Sequence, residues 1–177
     1  MKTAIYPGSF DPITLGHLDI ILRVASVFDK VVVCVMVNAG KRPHFTEEQR
    51  VDMIRRVVEK YPKITVDSSS GLLAEYSKKY EQPVVVKGLR AMSDFESEFQ
   101  MALINKRINP DLDTLFMASS EKYTYLSSSL VRELAEYAAD ISEFVPAEII
   151  SEVTNKMQSG RITRSKNKQI QYPVMTE

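Results

Sequence analysis

Short apolar runs alternate with segments of helical periodicity along most of the chain. The apolar runs are continuous, which is typical of strands buried on both faces of a parallel sheet. They lie at Lys2–Tyr6, Val31–Val37, Lys63–Asp67, Pro83–Lys87 and Asp113–Ala118. The helical segments have apolar residues every three or four positions and lie at Gly16–Phe28, Thr46–Tyr61, Leu72–Tyr80, Arg90–Ile108, Ser127–Tyr137 and Pro146–Met157. The alternation predicts an α/β protein with a doubly wound, five-stranded parallel sheet and C-terminal helices.

Two features of this pattern predict packing and domain limits. The long helix Arg90–Ile108 is expected to bury one apolar face, formed by Met92, Phe95, Phe99, Ala102 and Leu103. After about Gly160 the periodicity is lost and the chain becomes rich in cations. We therefore expect one domain over residues 1–158 and a flexible basic tail over residues 159–177.

Polar or glycine-rich segments follow four of the five predicted strands. They are Ser9–His17, Lys41–Arg42, Gly88–Arg90 and Tyr123–Ser129. In a doubly wound sheet, the carboxyl ends of the strands meet at one edge, and ligands bind there at the point where the strand order reverses. The sequence thus predicts one binding site assembled from four loops.

The residue types in these loops favour a ligand with anionic oxygens. They provide hydroxyls, cations, one histidine and two helix starts, from Ser9, Thr14, Gly16, His17, Lys41, Arg42, Lys87, Arg90 and Ser127–Ser129. Helix N-termini present free N–H groups and partial positive charge, so we expect several phosphates. The glycine spacing matches neither the dinucleotide fingerprint nor the Walker loop, and no Gly-x-Ser-x-Gly elbow is present. His17 and His44 are too far apart in sequence to suggest a zinc site.

Composition narrows the classes of partner. The 177 residues carry 23 basic and 23 acidic side chains, so the net charge gives no reason to expect nucleic acid or a membrane as a partner. No apolar run is long enough to span a bilayer, and the first residues are too short in apolar length for a signal peptide. The single cysteine, Cys34, excludes an internal disulfide and is expected to be buried in its strand. These features favour a cytoplasmic protein.

Three long blocks resemble one known family. Thr14-Leu-Gly-His17 is similar to the first signature of the nucleotidylyltransferase superfamily. The blocks YPGSFDPITLGH, VKGLRAMSDFESEFQMALINKRI and YLSSSLVREL together resemble the bacterial phosphopantetheine adenylyltransferases, in order from about residue 3 to residue 157. The resemblance implies a Rossmann-like nucleotidylyltransferase fold. It also implies transfer of the adenylyl group of ATP to 4′-phosphopantetheine, the penultimate step of coenzyme A biosynthesis.

The resemblance further implies roles for residues at the nucleotide. His17 would donate to the α-phosphate and stabilise the transition state, and Ser9 would bridge both substrates. Arg90 would contact the phosphates of ATP and, with Lys41 on the acceptor side, complete the catalytic group. The other expected ATP ligands are Phe10 through its backbone N–H, Gly88, Leu89, Asp94, Glu98 at the ribose, Tyr123, Thr124, Tyr125, Leu126, Ser127, Ser128 and Ser129. The attacking phosphate is already anionic, so catalysis would rest on positioning and charge stabilisation.

The acceptor side follows from the same resemblance. Lys41 and Lys87 would hold and orient the phosphate of 4′-phosphopantetheine, and Leu73 would offer a backbone contact to the pantetheine arm. The products would be dephospho-coenzyme A and pyrophosphate, with Mg²⁺ bound together with ATP. The resemblance also names coenzyme A as a candidate feedback ligand and a homohexamer as the assembly.

Two alternatives stay open from the residues alone. A related adenylyltransferase acting on nicotinate mononucleotide would favour His-x-Gly-His, so Thr14 and the Lys87–Arg90 block argue against it. A catalytically silent nucleotide-binding module would be expected to have lost His17, Lys41 or Arg90. All three are present.

Overall fold

Five parallel strands form one sheet in the computed structural model, which describes residues 2–38, 40 and 42–168, with side-chain burial as far as Gly160. The strands are β1 (Thr3–Gly8), β2 (Lys30–Met36), β3 (Ile64–Ser69), β4 (Val84–Leu89) and β5 (Asp113–Ala118). Their order across the sheet is β3-β2-β1-β4-β5, and each neighbouring pair is parallel. The strand order therefore reverses between β1 and β4. The predicted doubly wound α/β fold is confirmed.

Helices connect and cover the strands. They are α1 (Leu15–Val27), α2 (Glu47–Val58), α3 (Leu73–Ser77), α4 (Met92–Ile108), α5 (Ser128–Glu136) and α6 (Ile150–Lys168), with short 3₁₀ turns at Glu121–Tyr123 and Ala147–Ile149. The start of α2 is a capping box, because Thr46 and Gln49 exchange hydrogen bonds between side chain and backbone. Of the helices described, none is long and apolar enough to cross a membrane.

The sheet separates two apolar layers. The larger layer packs residues of β1 and β2 against α1, α2, α5 and α6. The smaller layer lies on the other face and includes residues of α3. Successive side chains of β1 alternate between the layers, so Ala4 belongs to the larger one and Ile5 to the smaller one. Cys34 belongs to the smaller layer and is fully buried, as its apolar surroundings in the sequence predicted.

The apolar face predicted for α4 is not buried, so this prediction is wrong. The predicted face comprised Met92, Phe95, Phe99, Ala102 and Leu103; of these, Met92 is 80% exposed, Phe99 44% and Leu103 57%. The residue that α4 buries instead is Asn105. Periodicity identifies apolar positions but does not reveal what packs against them. In the single chain, α4 lies beside the edge strand β5, and its outer face has no partner element there among the described residues.

The end of the chain also differs from the prediction. The helix predicted to end at Met157 continues through Gly160 as far as Lys168. Arginine and lysine are good helix formers, so the sequence after Gly160 is compatible with a helix although it lacks apolar periodicity. The division into a domain over residues 1–158 and a tail over residues 159–177 stays a prediction, and residues 169–177 lie outside the described residues.

Candidate active site

A cleft of about 1470 Å³ opens at the carboxyl ends of β1 and β4, where the strand order reverses. It brings together most of the predicted ligand set: Ser9, Phe10, His17, Leu73, Lys87, Gly88, Arg90, Asp94, Glu98, Tyr123, Leu126, Ser127, Ser128 and Ser129. The position of the cleft follows the general rule for doubly wound sheets. The role of each residue in binding or catalysis stays a prediction.

The loop after β1 enters the cleft through a left-handed backbone conformation at Phe10, whose φ is 47°. This conformation costs a bulky residue free energy, so the surrounding contacts must hold it in place. The Phe10 ring is buried and meets the His17 ring edge-on, with centroids 5.2 Å apart. A Cβ atom at Gly8 would lie 2.8 Å from the Phe10 ring, so glycine is required there to leave room for it.

His17 is fixed by the start of α1. Thr14 is the N-cap residue, and its Oγ1 accepts from the His17 backbone N–H at 3.3 Å. In return, His17 Nδ1 accepts from the Thr14 backbone N–H at 3.1 Å, which completes a capping box with histidine in the position usually taken by Glu or Gln. Because Nδ1 is an acceptor, the proton of the neutral ring lies on Nε2, which can donate to a ligand.

The protonation state of His17 suits this role as a donor. Burial of the ring, reinforced by the nearby Arg90 charge, lowers the pKa of His17 to about 4. The imidazole is therefore neutral at pH 7, with a single fixed tautomer. The capping box requires Thr14 and His17 to be three residues apart, and the same spacing places the His17 ring in the candidate site.

Arg90 connects the loop after β4 to the segment before α5. Its Nε lies 3.1 Å from Asp94 Oδ2, and its Nη1 donates to the Leu126 carbonyl at 3.3 Å. The Arg90 backbone N–H also donates to Asp94. Asp94 therefore orients Arg90 at the cleft wall, while the predicted contact between Asp94 and ATP stays a prediction.

Lys87 and Glu98 form an ion pair inside the cleft. Lys87 Nζ lies 3.0 Å from Glu98 Oε2, and the two side chains are 21% and 31% exposed. The spacing of four residues between Arg90, Asp94 and Glu98 predicts that they lie on one face of a helix. In the structure the Glu98 side chain pairs with Lys87 of β4 instead. The two partners are predicted to bind different substrates, so their contact would join the predicted nucleotide and acceptor sides of the cleft.

The three serines at the start of α5 differ in their contacts. Ser127 is the N-cap residue and accepts from a backbone N–H three residues further on. Ser128 Oγ donates to the Pro12 carbonyl at 2.7 Å, which ties α5 to the loop after β1. Ser129 is exposed and accepts from Arg132. With the Ser128 hydroxyl proton already donated, Ser129 is the better placed hydroxyl donor for a phosphate.

Three described residues among the predicted ligands do not line the cleft, and a fourth predicted ligand cannot be compared with it. Lys41 lies outside the described residues. Leu89, Thr124 and Tyr125 are not among the described residues that line the cleft. The Thr124 hydroxyl donates to a carbonyl of its own turn, and Tyr125 is 62% exposed. The side-chain positions therefore give no support to ATP contacts by these three residues, and such contacts stay predictions.

Three buried polar residues line the cleft without a predicted role. They are Asp11, Arg50 and Asn105, which are 7%, 3% and 5% exposed. The burial of Arg50 could have been predicted from the sequence, because Arg50 lies four residues before the apolar Ile54 and therefore on the same face of α2. Asn105 likewise lies on the face that α4 buries. Sequence reasoning missed Arg50 and Asn105 because both lie on helices rather than at strand ends, and it missed Asp11, in the loop after β1, because it looked there for groups that bind anions.

Asp11 joins three segments around the cleft. One of its carboxylate oxygens, Oδ1, accepts from the Phe45 backbone N–H at 2.9 Å, and the other, Oδ2, accepts from the His44 backbone N–H at 3.0 Å. Arg132 of α5 lies 3.4 Å from Asp11 Oδ2 and also donates to the Asp11 carbonyl. The loop after β1, the segment before α2 and helix α5 are therefore held together by one buried carboxylate.

A doubly wound sheet with a histidine and cations at its switch point fits a nucleotidylyltransferase, the class that the sequence resembles. In agreement, a cytidylyltransferase-like family model matches residues 5–134, from β1 into α5. The chain is 52% identical over 160 residues to a phosphopantetheine adenylyltransferase of Caldanaerobacter subterraneus subsp. tengcongensis, covering 90% of this chain and 100% of that protein. It is 53% identical over 156 residues to the one of Clostridium tetani, covering 88% and 98%. The chain therefore belongs to the phosphopantetheine adenylyltransferase family.

Solved structures agree on the fold. A bifunctional NMN adenylyltransferase/ADP ribose pyrophosphatase from Francisella tularensis superposes with a TM-score of 0.63 at 13% sequence identity. The match covers 99% of this chain and 58% of that chain. At this identity the likeness shows the fold alone, and the relatives with about half of their residues identical do not favour the nicotinate mononucleotide alternative.

Proposed function

We propose that this protein transfers the adenylyl group of ATP to 4′-phosphopantetheine, releasing pyrophosphate and forming dephospho-coenzyme A. The observation that carries the proposal is the cleft at the switch point, where a neutral histidine donor and two cations meet in a chain of this family. An oxygen of the acceptor phosphate would attack the α-phosphorus of ATP. A new phosphorus–oxygen bond forms as the bond to the pyrophosphate oxygen breaks.

The residues of the chain act by binding and by stabilising charge. The His17 Nε2–H donates to an α-phosphate oxygen, where negative charge is rearranged in the transition state. Arg90, oriented by Asp94, contacts the phosphates of ATP, and Lys87 receives the acceptor phosphate. Lys41 completes the acceptor side. The attacking group is an anion, so no side chain has to remove a proton from it.

Mg²⁺ fits this site as an ion that arrives with the nucleotide. It prefers oxygen ligands, keeps several waters and often binds through one or two carboxylates together with substrate phosphates. Asp94 and Glu98 line the cleft, but each is already paired with a cation. Among the described residues, no three His, Cys, Asp or Glu side chains come together as a metal centre. Bound with ATP, Mg²⁺ would neutralise charge on the triphosphate.

Pyrophosphate release tests the proposed reaction. With ATP and Mg²⁺, we expect release when 4′-phosphopantetheine is added and none when nicotinate mononucleotide replaces it. Mass spectrometry of the first mixture should detect dephospho-coenzyme A. Release with nicotinate mononucleotide would favour the related adenylyltransferase, and tight ATP binding without release to either acceptor would identify a binding module.

We propose a homohexamer in which the apolar face of α4 is covered by other copies of the chain. Met92, Phe99, Leu103 and Ile104 on α4 and Leu115 on β5 are each 44–80% exposed in the single chain. Phe95 stacks on Phe99 and meets Phe116 of β5 edge-on, which makes the surface continuous from helix to edge strand. Exposed apolar patches of this kind mark protein interfaces.

A charge placed on this face should reduce the assembly. Light scattering should give a hexamer for the wild type and a smaller species for Leu103→Glu, because the carboxylate would be buried without a partner. Val27→Glu is the matched control, since Val27 is 71% exposed on α1 and should leave the mass unchanged. Persistence of the hexamer in Leu103→Glu would show that the α4 face is not part of the interface.

Two further assignments belong to the same proposal. We place the protein in the cytoplasm, with which a single buried thiol, Cys34, agrees. Coenzyme A differs from the proposed product by one phosphate, so we propose that it binds the same cleft as a feedback ligand.

A further inference from the structure

Arg50 is a buried cation at the wall of the cleft. It lies on α2, is 3% exposed and lines the cleft. Its Nη1 donates to the Ser9 carbonyl at 2.7 Å, and its Nε donates to the Thr46 carbonyl at 3.3 Å. Within the described part of the chain, it forms no ion pair with a carboxylate. A guanidinium that is desolvated in this way is held by its hydrogen bonds to backbone carbonyls.

Because a peptide bond is planar, the direction of the Ser9 carbonyl also fixes the direction of the Phe10 N–H. The bond between Ser9 and Phe10 is trans, because the cis peptide in the described chain is Asp11–Pro12. In a trans peptide the C=O and the following N–H point in opposite directions in one plane. Arg50, by binding the Ser9 carbonyl, therefore fixes the direction of the Phe10 N–H, which points away from the guanidinium.

This peptide belongs to the strained part of the loop. Phe10 has a φ of 47°, a conformation that a non-glycine residue adopts only when its surroundings determine it. On the other side of Phe10, the Asp11 carboxylate is held by backbone N–H groups of His44 and Phe45. Arg50 and Asp11 thus fix the two ends of a three-residue segment, and both anchor it to the start of α2.

We infer that Arg50 is a positioning residue that sets the orientation of the Ser9–Phe10 peptide. Through this peptide it directs the Phe10 N–H and the Ser9 side chain, and this inference rests on the proposed function, in which Phe10 binds ATP and Ser9 bridges both substrates. Arg50 itself does not contact the reacting atoms. Its removal should impair alignment in the transition state more than the initial binding of substrate.

Steady-state kinetics of Arg50→Met and Arg50→Lys test the inference. Methionine keeps the apolar length of the side chain but donates no hydrogen bond. We expect kcat to fall by about 10- to 100-fold, with the KM for ATP within about threefold of wild type. Lysine can donate to the Ser9 carbonyl alone, so Arg50→Lys should recover part of the lost kcat. Arg55→Met is the matched control, because Arg55 is exposed on the same helix, and it should leave both constants unchanged.

Other outcomes would overturn the inference. A rise in the KM for ATP at unchanged kcat would mean that Arg50 binds an anion directly. If kcat falls equally in Arg50→Lys and Arg50→Met while both proteins fold, the hydrogen bond from Arg50 to the Ser9 carbonyl does not explain the loss. Unchanged kinetics in Arg50→Met would show that this hydrogen bond is not needed for catalysis.

A crystal structure of Arg50→Met separates this inference from the proposed reaction. We expect the Ser9 carbonyl to turn and Phe10 to leave the left-handed region. A Phe10 φ that stays near 47° would contradict the inference even if the wild type is active. If the wild type releases no pyrophosphate but the peptide turns in the variant, the positioning role stands and only the proposed reaction fails. Should Arg50→Met not fold, the same comparison applies to Arg50→Leu, which likewise donates no hydrogen bond to the Ser9 carbonyl.

Discussion

Replacing His17 by alanine should lower kcat by about 10²- to 10³-fold, the loss typical of removing one donor to a developing oxyanion. The reason is geometric, since the capping box with Thr14 holds Nδ1 as an acceptor and leaves the Nε2 proton for the α-phosphate. The KM for ATP should change far less than kcat, because the contact strengthens in the transition state. Pyrophosphate release at saturating ATP and 4′-phosphopantetheine measures the effect.

His17→Gln separates catalysis from folding. Glutamine in the same position can accept from the Thr14 N–H, so the capping box and the midpoint of thermal unfolding should stay close to those of wild type. Its kcat should nevertheless be low, because the amide donor is placed differently from Nε2. A glutamine variant with a kcat within about threefold of wild type would show that His17 does not stabilise the transition state.

The pH dependence of the wild type provides a check on the same residue. The pKa of His17 is lowered to about 4, so the imidazole stays largely neutral between pH 5 and pH 8 and becomes protonated only as the pH falls to about 4 and below. The ratio of wild-type to His17→Ala activity should therefore be constant from pH 6 to pH 8. A loss of wild-type activity through an ionisation of His17 near pH 6.5 would contradict this assignment.

Replacing Asp11 by alanine should lower the free energy of unfolding by about 3 kcal/mol, the low end of the cost of breaking a buried ion pair by removing one partner. Arg132 would lose its buried counter-ion, and two backbone N–H groups at His44 and Phe45 would lose their acceptor. Urea unfolding at fixed protein concentration measures the change.

Glu75→Ala is the control for Asp11→Ala. Glu75 pairs with Lys78 on the surface of α3, and both side chains are about half exposed, so its loss should cost about 0–1 kcal/mol. A loss below about 1 kcal/mol in Asp11→Ala as well would mean that solvent or other donors replace the contacts of the carboxylate. Asp11→Asn keeps one oxygen acceptor without the charge, and its stability should lie between wild type and Asp11→Ala.

Strand positions and the location of the cleft could be predicted because both depend on local sequence. Strands such as β2 are buried on both faces along most of their length, so they form continuous apolar runs, and polar residues mark where each strand ends. The strand ends then converge by topology alone. For this reason the sequence alone predicts that Ser9, His17, Lys87 and Arg90 lie together, and all four line the cleft.

What could not be predicted depends on pairing between distant segments. The apolar residues of α4 indicate burial, but the surface that covers them is not part of the single chain. Lys87 and Glu98 belong to a strand and the following helix, so helical spacing gave no sign of their contact. Arg50 reaches Ser9 across 41 positions, and no local pattern reveals such a bond.

In the proposed reaction, the ion pair between Lys87 and Glu98 would make the carboxylate a tethered competitor for the acceptor phosphate. A group attached to the same framework acts at an effective concentration that can reach the millimolar range, so an incoming phosphate would have to displace Glu98 from Lys87 rather than occupy an unpaired cation. Displacement would free the Glu98 carboxylate on the side of the cleft where the ribose is proposed to bind. Arrival of the acceptor would therefore expose a ligand for the nucleotide, and the two binding events would be linked by exchange of partners.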